Sequence, residues 1–520
     1  VAEPELEARS DEGEAGVDPF PERPLDRFFT PRATFVLTRL LLLRLLGFVY
    51  FVAFYCSLRD AMPLFGKRGL LPIAELCADV VLREGSRLRA FRALPTLFFA
   101  IGTSDAAVTL GVTNAWVMTA LWALYLSFTN VGQIFTGYGW EIQLVETGFL
   151  AIFLCPAGSL HPFPKTPPHA VPIWLFRWLI VRIMWGAGLI KLRGDPCWRD
   201  LTCLVYHYET QPVPSPVSWL LHQAPRWFHV AGVVVNHGVE ILAPFFAFGP
   251  RLARHVAGSA FIGFQLFLVV SGNLSFLNWL TIVPALACFD DEALARVLPR
   301  GISKLAERRT TAREPSRRMR WASVSVGLVV GILSIDPVAN LVSSQQAMNQ
   351  SYNPLHIVNT YGAFGSVNKE RYEVVLQGTR AKLVDERTVW LDYELPCKPG
   401  DVSRRPCVIT PFHRRLDWQM WFLPGGRVSR EGWFLHLVQK LLTGERSVKP
   451  LLARDPFPDA PPKYVRAVLF RYEFTRLGDG SSAWWRRTEL GEYLRPVSLE
   501  DAELDEVLRA YGWADDEGPR

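Results

Sequence analysis

Nowhere in the 520 residues is there a Cys-x-x-Cys pair, a Cys/His spacing of zinc type, or a glycine-rich phosphate loop of Walker or Rossmann pattern. A nucleophile elbow and a Ser-His-Asp spacing are missing too. These absences leave no metal and no cofactor to expect, and they remove the common nucleotide enzymes and serine hydrolases. Charged residues are 20%, below the roughly 25% usual in soluble proteins. The net charge of +6 is spread over 56 basic and 50 acidic side chains, too dilute for a nucleic-acid binder. No internal repeat is present, and the 38 glycines and 38 prolines are scattered. What is abundant is apolar: 49% hydrophobic residues, 18 Trp, 33 Phe and a mean hydropathy of +0.13. Much of the chain belongs in a bilayer.

Runs near 34–56, 105–128, 136–155, 172–191, 228–248, 255–271, 274–289 and 321–336 approach the ~20 apolar residues that a span requires. The stretch 94–104 reads as a re-entrant or interfacial helix. The expected fold is therefore an α-helical multi-pass membrane bundle (34–336) of about eight spans, give or take one. The first run starts too far into the chain, and continues too long, for a cleavable signal peptide. Nine bases in 290–320 place that loop in the cytoplasm by the positive-inside rule, and the chain beyond 336 on the other side. Residues 1–33, with nine acids against four bases, read as a disordered acidic tail. The first residue is Val, which fits a GTG start or a truncated chain.

From 345 to 515 the pattern changes to a mainly β, extracytoplasmic soluble domain. RYEVVLQGT (371–379), TVWLDYELP (388–396) and AVLFRYEFT (467–475) alternate as half-buried strands do. GWFLHLVQKLL (432–442) has the spacing of a helix with one apolar face, and a last helix over 498–513 takes Ser498 as its cap. Cys197 with Cys203, and Cys397 with Cys407, lie close in sequence in polar segments on the oxidising side, so two structural disulfides are expected. Cys56, Cys77, Cys155 and Cys288 read as small buried hydrophobes.

Carboxylates in an apolar run are costly and need a partner or a cavity. Glu141 and Glu146 are two such, and Arg177, Arg182 and Lys191 on the next run are the natural partners. His237 and Glu240, three apart, share a helix face. The loop 191–214 is dense in candidates: Lys191, Asp195, Arg199, Asp200, His207 and Glu209. These sets read either as ion pairs holding helices in register or as a polar intramembrane cavity.

The stretches GWEIQLVETGFLAIFL, GAGLIKLRGDPCWRDLTCLVYHYETQPVP, NHGVE, NTYGAFGSVNKERYEV, CKPGDVSRRPC, HRRLDWQMWF and AWWRRTELGEYL resemble the lipase maturation factor family, in order along nearly the whole chain. The resemblance implies a multi-pass membrane protein, in animals of the endoplasmic reticulum and in a bacterium of the inner membrane. It implies clients that are secreted lipases, together with membrane lipid and no nucleic acid. It also implies a client-binding domain after the spans, for which Lys369, Glu370, Arg371, Arg404, Arg405, Asp417, Trp418 and Trp421 are the candidate contacts. A fainter similarity joins AGLIKL (187–192) to vitamin K-dependent carboxylase-like membrane domains and puts Lys191 at their base lysine. Two functions compete: a non-enzymatic maturation factor, or an intramembrane enzyme using Lys191 with Glu141, Glu146, His207 and His237 on a lipophilic substrate. The maturation factor is preferred, because that resemblance covers both halves.

Overall fold

The computed structural model describes residues 35–101, 115–155, 163–164, 166–309 and 317–513. The expected acidic tail lies outside them, as do the beginning of the 105–128 run, the end of 94–104 and part of the basic 290–320 loop.

Helices occupy each of the eight apolar stretches, as far as they are described. Five helical runs are long and apolar enough to cross a membrane: Val36–Phe65, Ala170–Arg193, Arg226–Phe246, Arg251–Ser271 and Arg317–Val342. In chain order we label α1 (Val36–Asp60), α2 (Ile73–Glu84), α3 (Arg87–Ala93), α4 (Ala115–Val131), α5 (Gly139–Ile152), α6 (Ala170–Arg193), α7 (Arg226–His237), α8 (Arg251–Ser271), α9 (Leu277–Ala285) and α10 (Arg317–Leu333). Large apolar side chains such as Phe51, Trp116, Phe245 and Ile332 point outward, while Glu141, Glu146 and Arg182 are buried within the bundle. This inverts the soluble pattern and suits hydrocarbon surroundings.

The first helix has no cap of its own. The Asp291 carboxylate instead accepts from the N–H groups of Val36 (2.8 Å) and Leu37 (2.7 Å), supplying the acceptor that a helix start lacks. Arg39 donates to Thr166 O nearby. The start of α1 thus shares one end of the bundle with 289–309. Its other end meets the C-terminal part, where Arg59 donates to His413 O. The start of α1 and the C-terminal part therefore lie at opposite ends of the bundle.

The C-terminal part is α+β rather than mainly β. Its four strands, β1 (Arg371–Thr379), β2 (Leu391–Asp392), β3 (Tyr464–Phe474) and β4 (Trp485–Val497), form one antiparallel sheet in the order β2-β1-β3-β4. Only two residues of 388–396 pair as strand. Helices α11 (Arg415–Met420), α12 (Gly432–Thr443) and α13 (Ala502–Ala510) complete it. The cap of α13 is Asp501, not Ser498: its carboxylate accepts from Glu503 N and Leu504 N.

Neither half closes its core alone. Ile357, Val358, Tyr361 and Trp418 belong to the apolar cluster of the membrane helices, whereas Leu64, Leu70, Val131 and Phe135 belong to the cluster under the sheet. Segment 346–367 lies along α6, and glycine permits the approach. A Cβ on Gly186 would stand 2.2 Å from Tyr361 O, and one on Gly194 2.2 Å from Gly365 O.

Candidate functional site

Three buried charge clusters sit where the helix bundle meets the C-terminal part. The first is built on Lys191, in the last turn of α6. Its ammonium donates to both Glu240 oxygens (2.5 and 2.6 Å) and to Asn236 Oδ1 (3.3 Å), and Asn236 Nδ2 donates to Glu240 Oε2 (2.9 Å). Both charged side chains are buried. A π-turn, Gly238–Leu242, follows α7 and carries Glu240. The Trp198 ring lies 5.1 Å from the ammonium. An ammonium has three N–H donors, and all three are engaged, so Lys191 is held as a cross-link. His237 bonds to Trp198 O (3.1 Å) and does not reach the lysine pair by hydrogen bond. His207 packs edge-on against Phe364, and burial, followed by the charge of Lys191, pushes its pKa down to about 4. The imidazole is therefore neutral at pH 7.

The second cluster is Glu146 with Arg182, an ion pair closed over by the 359–361 segment. Tyr361 Oη (2.7 Å), Asn359 N (3.1 Å) and Asn359 Nδ2 (2.9 Å) all donate to Glu146 Oε2. Arg182 donates in turn to Asn359 O at 2.7 Å. The third centres on Glu141, whose carboxylate takes Tyr125 Oη–H and the Arg415 guanidinium (2.5 Å). Arg415 comes from α11 and also donates to Phe135 O (3.0 Å), with Asp60 3.8 Å away.

Of the partners expected for the two glutamates, only Arg182 serves one of them. Lys191 goes to Glu240, and Arg177 donates to Ala287 O instead. Sequence reasoning missed Arg415, Asn359 and Tyr361, which lie 274, 213 and 215 residues from the carboxylates they bind. A signal was available: HRRLDWQMW and NTYG each place polar groups among aromatic residues, as interdomain cores do.

The expected client face is corrected by burial. Arg371 is 1% exposed; it donates to Glu209 O, Gln211 O and Pro212 O and pairs with Glu373 at 2.5 Å. Lys398 shares Glu373 at 2.8 Å, and burial lowers the Lys398 pKa to about 8. Asp417 accepts from Cys397 N at 2.6 Å, and burial pushes its carboxyl up to about 6. Trp418 packs edge-on against Trp140 (4.9 Å) and beside His413. These side chains are dense because they join two parts of one chain. Trp421 donates to Thr210 O, and Arg404 is half-buried on Glu394 and the carbonyls of Leu395 and Lys398. Lys369, Glu370 and Arg405 are exposed.

Cys197–Cys203 and Cys397–Cys407 are disulfides, with Cα atoms 4.8 and 5.5 Å apart. The second anchors a loop that is itself held to the bundle, since Asn273 Nδ2 donates to Cys407 O at 2.8 Å. Among the described residues no group of three or more His, Cys, Asp and Glu could hold a metal ion.

The geometry defines an integral membrane protein whose C-terminal domain is keyed into the helix bundle through buried charges. Residues 37–296 match the family model described as the lipase maturation factor transmembrane domain, and residues 357–495 the lipase maturation factor C-terminal domain. Lipase maturation factor 1 of Bos taurus is 48% identical over 505 residues, covering 90% of each chain. That of Homo sapiens is 46% identical over 516 residues, covering 92% of this chain and 91% of its own. Lipase maturation factor 2 of Gallus gallus is 29% identical over 600 residues, with 90% and 82% covered. The chain belongs to the lipase maturation factor family. No solved structure matches it.

Proposed function

We propose that this chain is a membrane-embedded maturation factor for lipases, acting by binding and not by catalysis. The observation that carries this reading is the likeness, near half of all residues over nine-tenths of the chain, to proteins named lipase maturation factor 1. The engagement of all three Lys191 donors favours a structural cross-link over a carboxylase-like base. Client contact falls to the exposed residues of the C-terminal domain. These are Lys369, Glu370 and Arg405, with the apolar side chains Leu383 and Val389 that stand open between β1 and β2. The test is co-expression with a dimeric secreted lipase in cells lacking a factor of their own. Secreted lipase activity per unit of lipase protein should rise several-fold. No rise, with the chain present in the membrane at normal level, refutes the reading.

The C-terminal domain faces away from the cytoplasm. Support comes from the bases of 290–320, whose described part lies at the bundle end opposite the sheet, and from two disulfides at the sheet end. The start of α1, at the end opposite the C-terminal domain, is then cytoplasmic, and the crossings are odd in number, seven and nine being equally near to the sequence reading of eight. The membrane is the endoplasmic reticulum in a eukaryote and the inner membrane in a bacterium. In sealed microsomes, with the four free cysteines replaced, an impermeant maleimide should label Arg300→Cys at once and Ser429→Cys only after the vesicles are opened. Both positions are exposed, so the reverse pattern overturns the orientation.

A further inference from the structure

We propose that the α2–α3 hairpin is a phospholipid-binding element that lies on the bilayer surface and fixes the C-terminal domain against the membrane by holding lipid phosphates. Its outer part, 82–93, reads LREGSRLRAFRA: four arginines and one acid, with three large apolar residues between them.

The inner part of the hairpin belongs to the sheet domain. Ile73 is buried in the cluster under the sheet, Leu76 and Cys77 pack against that cluster, and Glu75 accepts from Trp513 Nε1 at 3.2 Å. The chain turns at Gly85, with φ of 72°, and Ser86 caps α3 through Arg89 N. Beyond that turn the character changes. Leu82 is 78% exposed, Leu88 64% and Phe91 45%. Arg83, Arg87, Arg89 and Arg92 are exposed beside them, and among the described residues none of the four is paired with a carboxylate. Elsewhere on the C-terminal domain half of the described arginines find an acid, among them the surface residues Arg454, Arg486, Arg495 and Arg509.

Position decides what covers this surface. Immediately after α3 the chain is tied to the last turn of the apolar helix α4: Asn130 Nδ2 donates to Pro95 O (2.8 Å) and Leu97 N to Ser127 Oγ (2.9 Å). The 17 residues of α4 span about 25 Å, close to a hydrocarbon core, so this turn marks the membrane boundary. Phe91 is four residues from Pro95 and cannot lie more than about 14 Å from it. Leu88 and Phe91, three apart, share a face of α3. At that depth Leu and Phe enter the acyl boundary while arginines reach to phosphate oxygens. Guanidinium pairs with phosphate two-pronged, which favours the lipid headgroup as the ligand and anionic lipid over neutral. Since the first turns of α2 pack on the sheet domain's core through Ile73, Leu76 and Cys77, holding its tip at the bilayer sets the tilt of the whole domain. The inference does not depend on the client.

The test uses the full-length protein in nanodiscs, with the free cysteines replaced and an environment-sensitive fluorophore on Leu88→Cys. The disc lipid is phosphatidylcholine brominated near the headgroup, without or with about a third phosphatidylglycerol. Emission from the label should fall about twofold relative to unbrominated discs, and further with the anionic lipid. Changing Arg83, Arg87, Arg89 and Arg92 together to Gln should remove the extra anionic effect. A label on Ser429→Cys reports the solvent-exposed baseline, and one on Phe51→Cys the lipid-exposed limit. A Leu88 label that behaves like Ser429 in both lipids overturns the proposal. So does one protected only when a client protein is added, which would assign the hairpin to a protein partner.

Discussion

Arg415→Met should be the most damaging single change in the C-terminal domain. The guanidinium is fully buried against Glu141, with Asp60 beside it, and the substitution strands the Glu141 carboxylate in a dry interior. Removing one partner of a buried pair costs about 3–5 kcal/mol, a large part of the stability of most domains. Asp60 is less affected because Arg59 still reaches it at 2.8 Å. Arg415→Lys should recover only part of the loss: Nη1 alone serves Phe135 O and Glu141, but Nη2 donates on to Ser57 Oγ (3.4 Å) and Nε faces Asp60, positions that one shorter-reaching ammonium does not fill together. The double variant Arg415→Met, Glu141→Gln removes the stranded charge and keeps an acceptor for Tyr125, so it should return to within roughly 1–2 kcal/mol of the parent. Thermal unfolding in detergent and protease release of the C-terminal domain measure both effects. A single variant as stable as the parent would show that this pair does not hold the halves together.

The second large effect separates structure from chemistry at Lys191. Lys191→Ala leaves Glu240 buried with only Asn236 as donor, so the expected loss is again about 3–5 kcal/mol, with a matching fall in membrane level. Loss of function in that variant would say nothing about catalysis. Lys191→Met with Glu240→Gln removes both charges and keeps the amide network with Asn236. For a binding factor this double variant should sustain secreted lipase activity near the parent's once membrane levels are matched. An enzyme using Lys191 as base would be folded and inactive. That second outcome would revive the carboxylase-like reading.

The places of the membrane helices were legible because each needs only its own run of apolar residues. The disulfides were legible because their cysteines are six and ten residues apart. Strand β1 and helix α12 likewise carry their periodicity within a dozen residues. The partners of the buried acids were not. Local reasoning assigned Glu141 and Glu146 to the next helix, and it was right only for Arg182, which happens to face α5. Dense Arg, Asp and Trp in 371–421 read as a binding surface because such residues are enriched there, and nothing local distinguishes a surface from a seam between halves. In the fold Arg371 fills the seam against the carbonyls of 209–212.

By itself the sequence determined which segments form apolar helices, that a strand-containing domain succeeds them, and which cysteines pair, since apolar transfer and short-range closure act over tens of residues. Only the tertiary structure decided that the start of α1 and the C-terminal part lie at opposite ends of the bundle, that Lys191 belongs to Glu240, and that Arg415, Asn359 and Tyr361 close over the intramembrane acids. A buried charge takes whichever counter-charge the fold brings within about 3 Å, and distance along the chain has no part in that choice.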